Sequence, residues 1–350
     1  MFGASSGTSY SVLLVAANGT IVASTKPRHP SSVTFAYRNC PQMFSSPLPT
    51  CKIAYLPRNP LVTSSNTRAY YLDGDSDVGY LAPDGRTGTA IHLPAKPQVR
   101  YAVAVSPDDT RIAVAAFEYV GAGTFSNPNV KLSIYVQDLA GGNRVDLFNS
   151  TTVSEWPIGW NKGQLVIAIG PGAYVQYTVD NPYWSVEGYH VADATTGRRL
   201  AAIGGDCVYG PVVRAGAACF FNERTQNVLG YRSWAAVRHS FDPTSGFGPG
   251  ALSPDGSQLA GTAWRAGGKA NWRLALASDS GSHELDVTGI AQGWLDGEHL
   301  VYYTVTTSKT FILDLVTGVS ASVPQATPKP PPGEPPAYLQ FLGTVPQQMS

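Results

Sequence analysis

The feature that most restricts how this chain can fold is a strand, turn, strand unit that recurs along it. Tyr101 to Glu118 reads YAVAVSPDDTRIAVAAFE and Ala251 to Trp264 reads ALSPDGSQLAGTAW. In both, apolar residues alternate on either side of a Ser-Pro-Asp-Asp or Ser-Pro-Asp-Gly turn. Proline presets φ and Asp-Gly tolerates positive φ, so the chain reverses there and the flanking runs pair as a hairpin. Looser copies lie at 158–170 (IGWNKGQLVIAIG), 293–305 (GWLDGEHLVYYTV) and around Ala215 (VVRAGAACFF).

A second hairpin follows each of these, marked by a strand that ends in small residues: VGYLAPDG, SIYVQDLAGG, GYHVADATTG, LALASDSG and TFILDLVTG. Two successive hairpins make one four-stranded antiparallel unit, with strands A to D. Taking the A–B turns near Asn66, Asp108, Asn161, Ala215, Asp255 and Asp296, the repeat spacings are about 42, 53, 54, 40 and 41 residues. Those values are near the ~40 to 50 residues of propeller blades. The expected fold is all-β: a β-propeller of four-stranded antiparallel blades, seven in number, with six as the alternative. Ring closure removes the open sheet edges that would otherwise pair with other chains.

The N-terminal hairpin, residues 9–27, reads as the C–D pair of a first blade that helps close the ring. The expected propeller domain is 1–323. Residues 324–337 contain PKPPPGEPP, whose prolines cannot donate ladder hydrogen bonds and favour an extended tether. Residues 338–350 are read as a C-terminal segment able to supply a closing strand.

Composition narrows the function classes. Lys+Arg and Asp+Glu both number 24, so there is no net positive field for phosphate backbones, and nucleic acid is not an expected partner. With Gly 36, Pro 27 and 14% charged residues, the chain suits short strands and turns. The apolar run Val12 to Ala17 is too short for a signal sequence, and no stretch reaches the ~20 residues that cross a bilayer. The four cysteines fall as two local pairs, Cys40 with Cys51 and Cys207 with Cys219, which suggests two disulfides and an oxidising compartment. Buried free thiols are the alternative. His29, His92, His190, His239, His283 and His299 are scattered, so neither a metal site nor a cofactor is expected.

At the SPDD and SPDG turns, over roughly residues 60 to 320, the chain resembles the TolB-like, PD40-type branch of WD-like β-propellers. The resemblance implies the fold. That branch includes periplasmic scaffolds, sensor ectodomains and the gating propellers of peptidases, so it does not imply one activity. Neither the α/β domain that precedes the TolB-like propeller nor a hydrolase domain is expected within these 350 residues, so neither function is carried over from the resemblance.

In a propeller the A–B and C–D turns share one face, and the B–C and D–A connections share the other. Turn-to-turn counts put surplus residues in the third to fifth blades, where B–C loops are expected at 119–131, 171–189 and 222–234. Long loops on a rigid scaffold commonly carry function. Tyr174, Tyr177, Tyr183, Trp184, Tyr189, Tyr231 and Trp234 fall in them and are the expected contact residues, because aromatics anchor proteins and stack on sugar rings.

No catalytic constellation is expected. Gly3-Ala4-Ser5-Ser6-Gly7 has the letters of a nucleophile elbow without its strand-turn-helix setting. Asp73, Asp75 and Asp77 have calcium-loop spacing, but Val78 stands where that loop needs glycine. DATTGRRL, residues 193–200, reads as a C–D turn. The resulting expectation is a non-catalytic extracytoplasmic propeller, periplasmic, cell-surface or secreted, that binds a protein or cell-surface polymer. A carbohydrate-binding or carbohydrate-active protein, with Asp180 and Glu187 as candidate carboxylates, and a self-assembling surface subunit are the alternatives.

Overall fold

A computed structural model of the chain describes residues 1–6, 9–38, 50–55, 62–121, 129–170, 186, 188–204, 212–222, 227–231, 238–241, 250–263, 272–324 and 338–346. Among these residues all regular structure is β, and the sheets follow the repeat. The first sheet has the order β29 (Tyr338–Phe341), β1 (Phe2–Ser6), β2 (Ser9–Val15), β3 (Ile21–Thr25). A separate hairpin, β4 (Val33–Arg38) with β5 (Thr50–Tyr55), comes next. The second sheet is β6 (Val62–Ser64), β7 (Ala69–Asp73), β8 (Asp77–Leu81), β9 (Thr87–His92). The third is β10 (Val99–Val105), β11 (Arg111–Gly121), β12 (Asn129–Asp138), β13 (Val145–Ser150).

The fourth sheet is β14 (Ser154–Asn161), β15 (Gln164–Gly170), β16 (Gly188–Asp193), β17 (Arg199–Gly204). A three-stranded sheet follows, β18 (Ala218–Asn222), β19 (Asn227–Tyr231), β20 (Arg238–Phe241), preceded by a tight reversal that bridges Val213 to Gly216. Then come β21 (Ala251–Leu252), β22 (Gln258–Ala263), β23 (Arg273–Ser278), β24 (Gly281–Thr288), and the last sheet, β25 (Ile290–Trp294), β26 (His299–Thr304), β27 (Lys309–Asp314), β28 (Ser320–Ser322). These sheets accommodate the six- or seven-blade ring implied by the repeat spacing.

Burial follows strand position in the blade. Every residue of the innermost strands β10 and β14 is buried, whereas the outermost β9, β13, β24 and β28 contain no buried residue. The core is therefore a set of layers between neighbouring sheets. Ala104, Phe117 and Ile134 of the third pack with Trp156 and Val191 of the fourth. Tyr70 and Leu72 of the second pack with Val103 and Tyr135 of the third and Val12 of the first. Alanines recur in the inner strands because a sheet-to-sheet layer near the axis has room for small side chains facing large ones.

Two tryptophans tie blades together by the same device. Trp160, at the end of β14, donates its indole N–H to the Ala104 carbonyl of β10 at 3.0 Å, and Trp294, at the end of β25, donates to the Ala251 carbonyl of β21 at 2.8 Å. The ring closes where β29 pairs antiparallel with β1, Phe2 opposite Phe341 and Ala4 opposite Leu339. Phe2, Leu13, Val301, Ile312 and Phe341 form one apolar cluster across this closure and the last blade.

The hairpin β4–β5 lies in the connection between the first and second blades and was not read from the sequence. Its Val33 is buried against the layer between the third and fourth blades. The segment before it is held by the second blade's B–C turn: Asp73 and Asp77 carboxylates accept from the Arg28 guanidinium at 3.1 and 2.8 Å, and Asp75 accepts from the Ser31 amide at 2.7 Å. The buried Arg100 of β10 donates to the Ser31 carbonyl at 2.6 Å. The three aspartates therefore dock a connection, which accounts for their spacing without calcium.

Candidate functional site

The two faces of the disc are built differently. On the A–B and C–D face, the turns satisfy their own polar groups. In the third blade Asp108 accepts from the Ser106 hydroxyl at 2.6 Å and the Thr110 hydroxyl at 2.8 Å, while the Arg111 amide donates to Ser106 Oγ at 2.9 Å. The SPDG turn repeats this, with Ser253 and Ser257 donating to Asp255 and the Gln258 amide donating to Ser253 Oγ. The hydrogen bond from Ser106 holds the Asp108 carboxyl below its usual range; burial works against that at Asp255, where the Ser257 and Ser253 donors prevail.

The C–D turns at 193–197 and 314–318 share a second pattern, D-x-x-T-G. Asp193 accepts from the Thr195 and Thr196 amides and Asp314 from the Val316 and Thr317 amides, which lowers both carboxyls. The glycine that ends each turn has φ of 71° and 72°, a region where other residues are strained. DATTGRRL thus serves as a turn, as its sequence indicates.

The opposite face carries the irregular elements: hairpin β4–β5 and an overhang of the third blade. Strands β11 and β12 have 11 and 10 residues, whereas β7 and β8 of the neighbouring blade have 5 each. The A–B turns of these two blades are level, because the Asn66 amide donates to the Pro107 carbonyl at 3.0 Å and the Thr67 hydroxyl donates to Asp109. The additional length, six residues in β11 and five in β12, or about 17–20 Å at ~3.3 Å per residue, therefore projects beyond the second blade at the B–C end.

Where the second blade no longer covers it, the face of the third blade forms a groove of about 540 Å³, within the ~300–1,000 Å³ range of ligand sites. Tyr101 and Tyr135 form its floor and are buried. Tyr101 donates to the Pro94 carbonyl at 2.7 Å, and its phenol is pushed up to about 12 by burial and by Tyr135. The Arg144 guanidinium lies 3.7 Å over the Tyr135 ring and is pinned by Asp146 at 2.7 Å. Glu118 and Lys131 stand opposite each other across β11 and β12 and line the groove with Lys96, Ser133 and Asn149. Among the described residues, the side chains of these five polar groups have no hydrogen-bond or ionic partner.

One buried ionic cluster lies elsewhere. Glu155 of β14, 3% exposed, accepts from Arg199 at 2.9 and 3.2 Å, and His190 Nε2 approaches it at 3.4 Å. His190 Nδ1 is buried without a partner among the described residues. Arg199 also lies over the Phe148 ring of the preceding blade, so the cluster joins two blades. Among the described residues no group of three His, Cys, Asp or Glu is placed to hold a metal ion.

The aromatic contact residues read from the sequence distribute as follows. Tyr174, Tyr177, Tyr183, Trp184 and Trp234 lie outside the described residues, as do Asp180 and Glu187. Tyr231 ends β19 opposite Arg238, its side chain outside what is described. Tyr189 corrects the expectation: it sits in β16 opposite Ala168, fully buried in the layer that holds Trp156 and Val166, so it packs blades together.

Two of the three expected B–C loops are corrected as well. Within 119–131, Tyr119 to Gly121 continue β11 and Asn129 to Lys131 begin β12, so six of these thirteen residues are strand, and 122–128 lie outside the described residues. Within 222–234, Asn227–Tyr231 is β19, paired with β18. Of the cysteines, Cys40 and Cys207 lie outside the described residues; Cys51 and Cys219 occupy β5 and β18, their side chains undescribed. Residues 325–337 are likewise outside. The groove residues were missed, although the eleven-residue alternation RIAVAAFEYVG signals a strand longer than its neighbours.

No protein-family model matches the chain, and no curated protein does. Solved structures do resemble it at the level of fold. The β-propeller domain of the Trilobed protease from Pyrococcus furiosus is 10% identical with a TM-score of 0.47, covering 94% of this chain and 100% of its own. Oligogalacturonate lyase from Vibrio parahaemolyticus is 10% identical with a TM-score of 0.46, covering 85% and 98%. A protein assigned as TolB from Agrobacterium tumefaciens is 13% identical with a TM-score of 0.35, covering 89% and 98%. The all-β propeller rests on the chain's own four-stranded sheets and on the closure of β29 with β1.

Proposed function

We propose that this chain is a non-catalytic binding propeller which recognises a protein or cell-surface polymer outside the cytoplasm through its B–C and D–A face. The observation that carries the proposal is the groove on the overhanging third blade, where polar side chains have no internal partner among the described residues while the opposite face uses its polar groups within its own turns. Unpaired donors and acceptors that converge on a concavity are the usual mark of a recognition surface. Among the described residues, the buried Glu155 with His190 and Arg199 is engaged in joining blades, a structural use of these ionisable groups. Among the described residues no helix is long and apolar enough to cross a membrane.

The aromatic residues Tyr183 and Trp184, by their place in the sequence between β15 and β16, belong to the same proposal as contacts on that face. The test is retention of native cell-envelope extract by the immobilised chain, its Lys131→Glu/Arg144→Glu variant and a Tyr183→Ala/Trp184→Ala variant. Retention that is specific to the wild type and falls at least about tenfold in the first variant supports the face. Undiminished retention in that variant removes it.

A further inference from the structure

We infer that the groove of the third blade is a subsite for a short acidic oligosaccharide, a glycan with carboxylate-bearing sugar rings. The inference rests on the binding face proposed above and adds the chemistry of what it takes.

The backbone under the groove is the first consideration. Its floor is a ladder face on which Tyr101, Ala116, Ser133 and Asn149 stand opposite one another across β10, β11, β12 and β13. Along that row the main chains of β11 and β12 are flanked by a paired strand on each side. An extended peptide is normally held by main-chain hydrogen bonds to a free sheet edge, and a sheet face offers it none. Only side chains remain to contact a ligand, so the ligand must bring its own dense set of hydrogen-bonding groups.

Glu118, Ser133, Lys131 and Asn149 supply a carboxylate, a hydroxyl, an ammonium and an amide on one face of two adjacent strand pairs. The Glu118 carboxylate is an acceptor for ligand hydroxyl groups. An amide and a hydroxyl both donate and accept. This mixture matches the vicinal hydroxyls of a sugar ring. Glu118 and Lys131 stand opposite each other yet form no ion pair, so both remain available to a ligand.

Charge sets the second requirement. Lys96, Lys131 and Arg144 line the groove against Glu118 alone. Arg144 is ordered before any ligand arrives: it lies over Tyr135, and Asp146 takes its Nε and Nη2 at 2.9 and 2.7 Å, which leaves the Nη1 edge. A pre-ordered guanidinium and two ammonium groups favour a ligand with carboxylates, since charge-assisted hydrogen bonds are about twice as strong as neutral ones. A neutral glycan would satisfy the amide and hydroxyl groups and leave the Lys96 and Lys131 ammonium groups unmatched.

The experiment is calorimetric titration of the full chain with a hexuronate tetrasaccharide, a neutral hexose tetrasaccharide of the same linkage and an acidic hexapeptide, repeated with Glu118→Ala, Asn149→Ala and Lys96→Met/Lys131→Met, each checked for an unchanged melting temperature. The expected result is tightest binding of the hexuronate, weakened about tenfold or more in Glu118→Ala and Asn149→Ala, with its advantage over the neutral glycan lost in Lys96→Met/Lys131→Met. Hexuronate binding that all three variants leave intact overturns the groove as its site. Peptide binding equal to or tighter than the glycan overturns the ligand class. If no probe binds while envelope retention still depends on Lys131 and Arg144, the acidic glycan is overturned and the binding face stands; if that retention is also indifferent to them, both fall.

Discussion

At the scale of single residues, the molecule relies on a few polar devices used repeatedly. The indole N–H of Trp160 reaches into the preceding blade at Ala104, and Trp294 does the same at Ala251. Trp160→Phe and Trp294→Phe keep most of the apolar volume and remove that donor. Each is expected to cost about 1–2 kcal/mol, the price of one buried hydrogen bond together with a small loss of packing, read as a lower urea midpoint with unchanged slope. The turn carboxylates make a second prediction. Asp108, Asp193, Asp255 and Asp314 all have folded-state values below the ordinary one. A depressed carboxyl contributes stability above its unfolded value, about 3.9, and loses it as the pH falls through the folded value. Urea midpoints should therefore decline on acidification below about pH 4. The quadruple Asp→Asn variant, which retains an acceptor oxygen at each turn, should show a shallower decline; an identical acid slope would contradict the assignment.

Elements divide into those whose position depends on local chemistry and those that depend on distant partners. Strand β29 has four residues and places Leu339 and Phe341 in the closure layer. Leu339→Asp buries a charge where the ring shuts and should destabilise by ~3 kcal/mol or more, with aggregation visible by light scattering as β1 loses its partner. Thr87→Asp on the exposed β9 should change stability by less than about 0.5 kcal/mol. The A–B and C–D turns were legible because Ser-Pro-Asp, Asn-Lys-Gly and D-x-x-T-G act within a few residues, and the alternation beside them sets the strands. Hairpin β4–β5 was not legible: VTFAYR and TCKIAY fall outside the repeat, and Val33 finds its partners in blades more than 60 residues away. The loop lengths misled for a related reason. Turn-to-turn counts cannot distinguish a longer strand from a longer loop, so the overhang of β11 and β12 was read as loop. Tyr189 looked like a surface aromatic, but its strand register with Ala168 turns it into the core.

At the scale of the whole molecule, these parts give the disc two unlike faces. One is a set of level turns that satisfy themselves, with Asn66 bonded to Pro107 and Thr67 to Asp109 between neighbouring blades. The other carries an inserted hairpin, an overhanging blade and a groove with unpaired polar groups. The chain has no net charge, so long-range steering contributes little and recognition depends on this local surface. The most direct measurement is amide hydrogen exchange of the full chain with and without the retained envelope component. The account predicts slowed exchange in 94–101, 116–121, 129–135 and 144–151, with the turns at 106–110, 253–257 and 295–298 unaffected. Protection confined to those turns would contradict it.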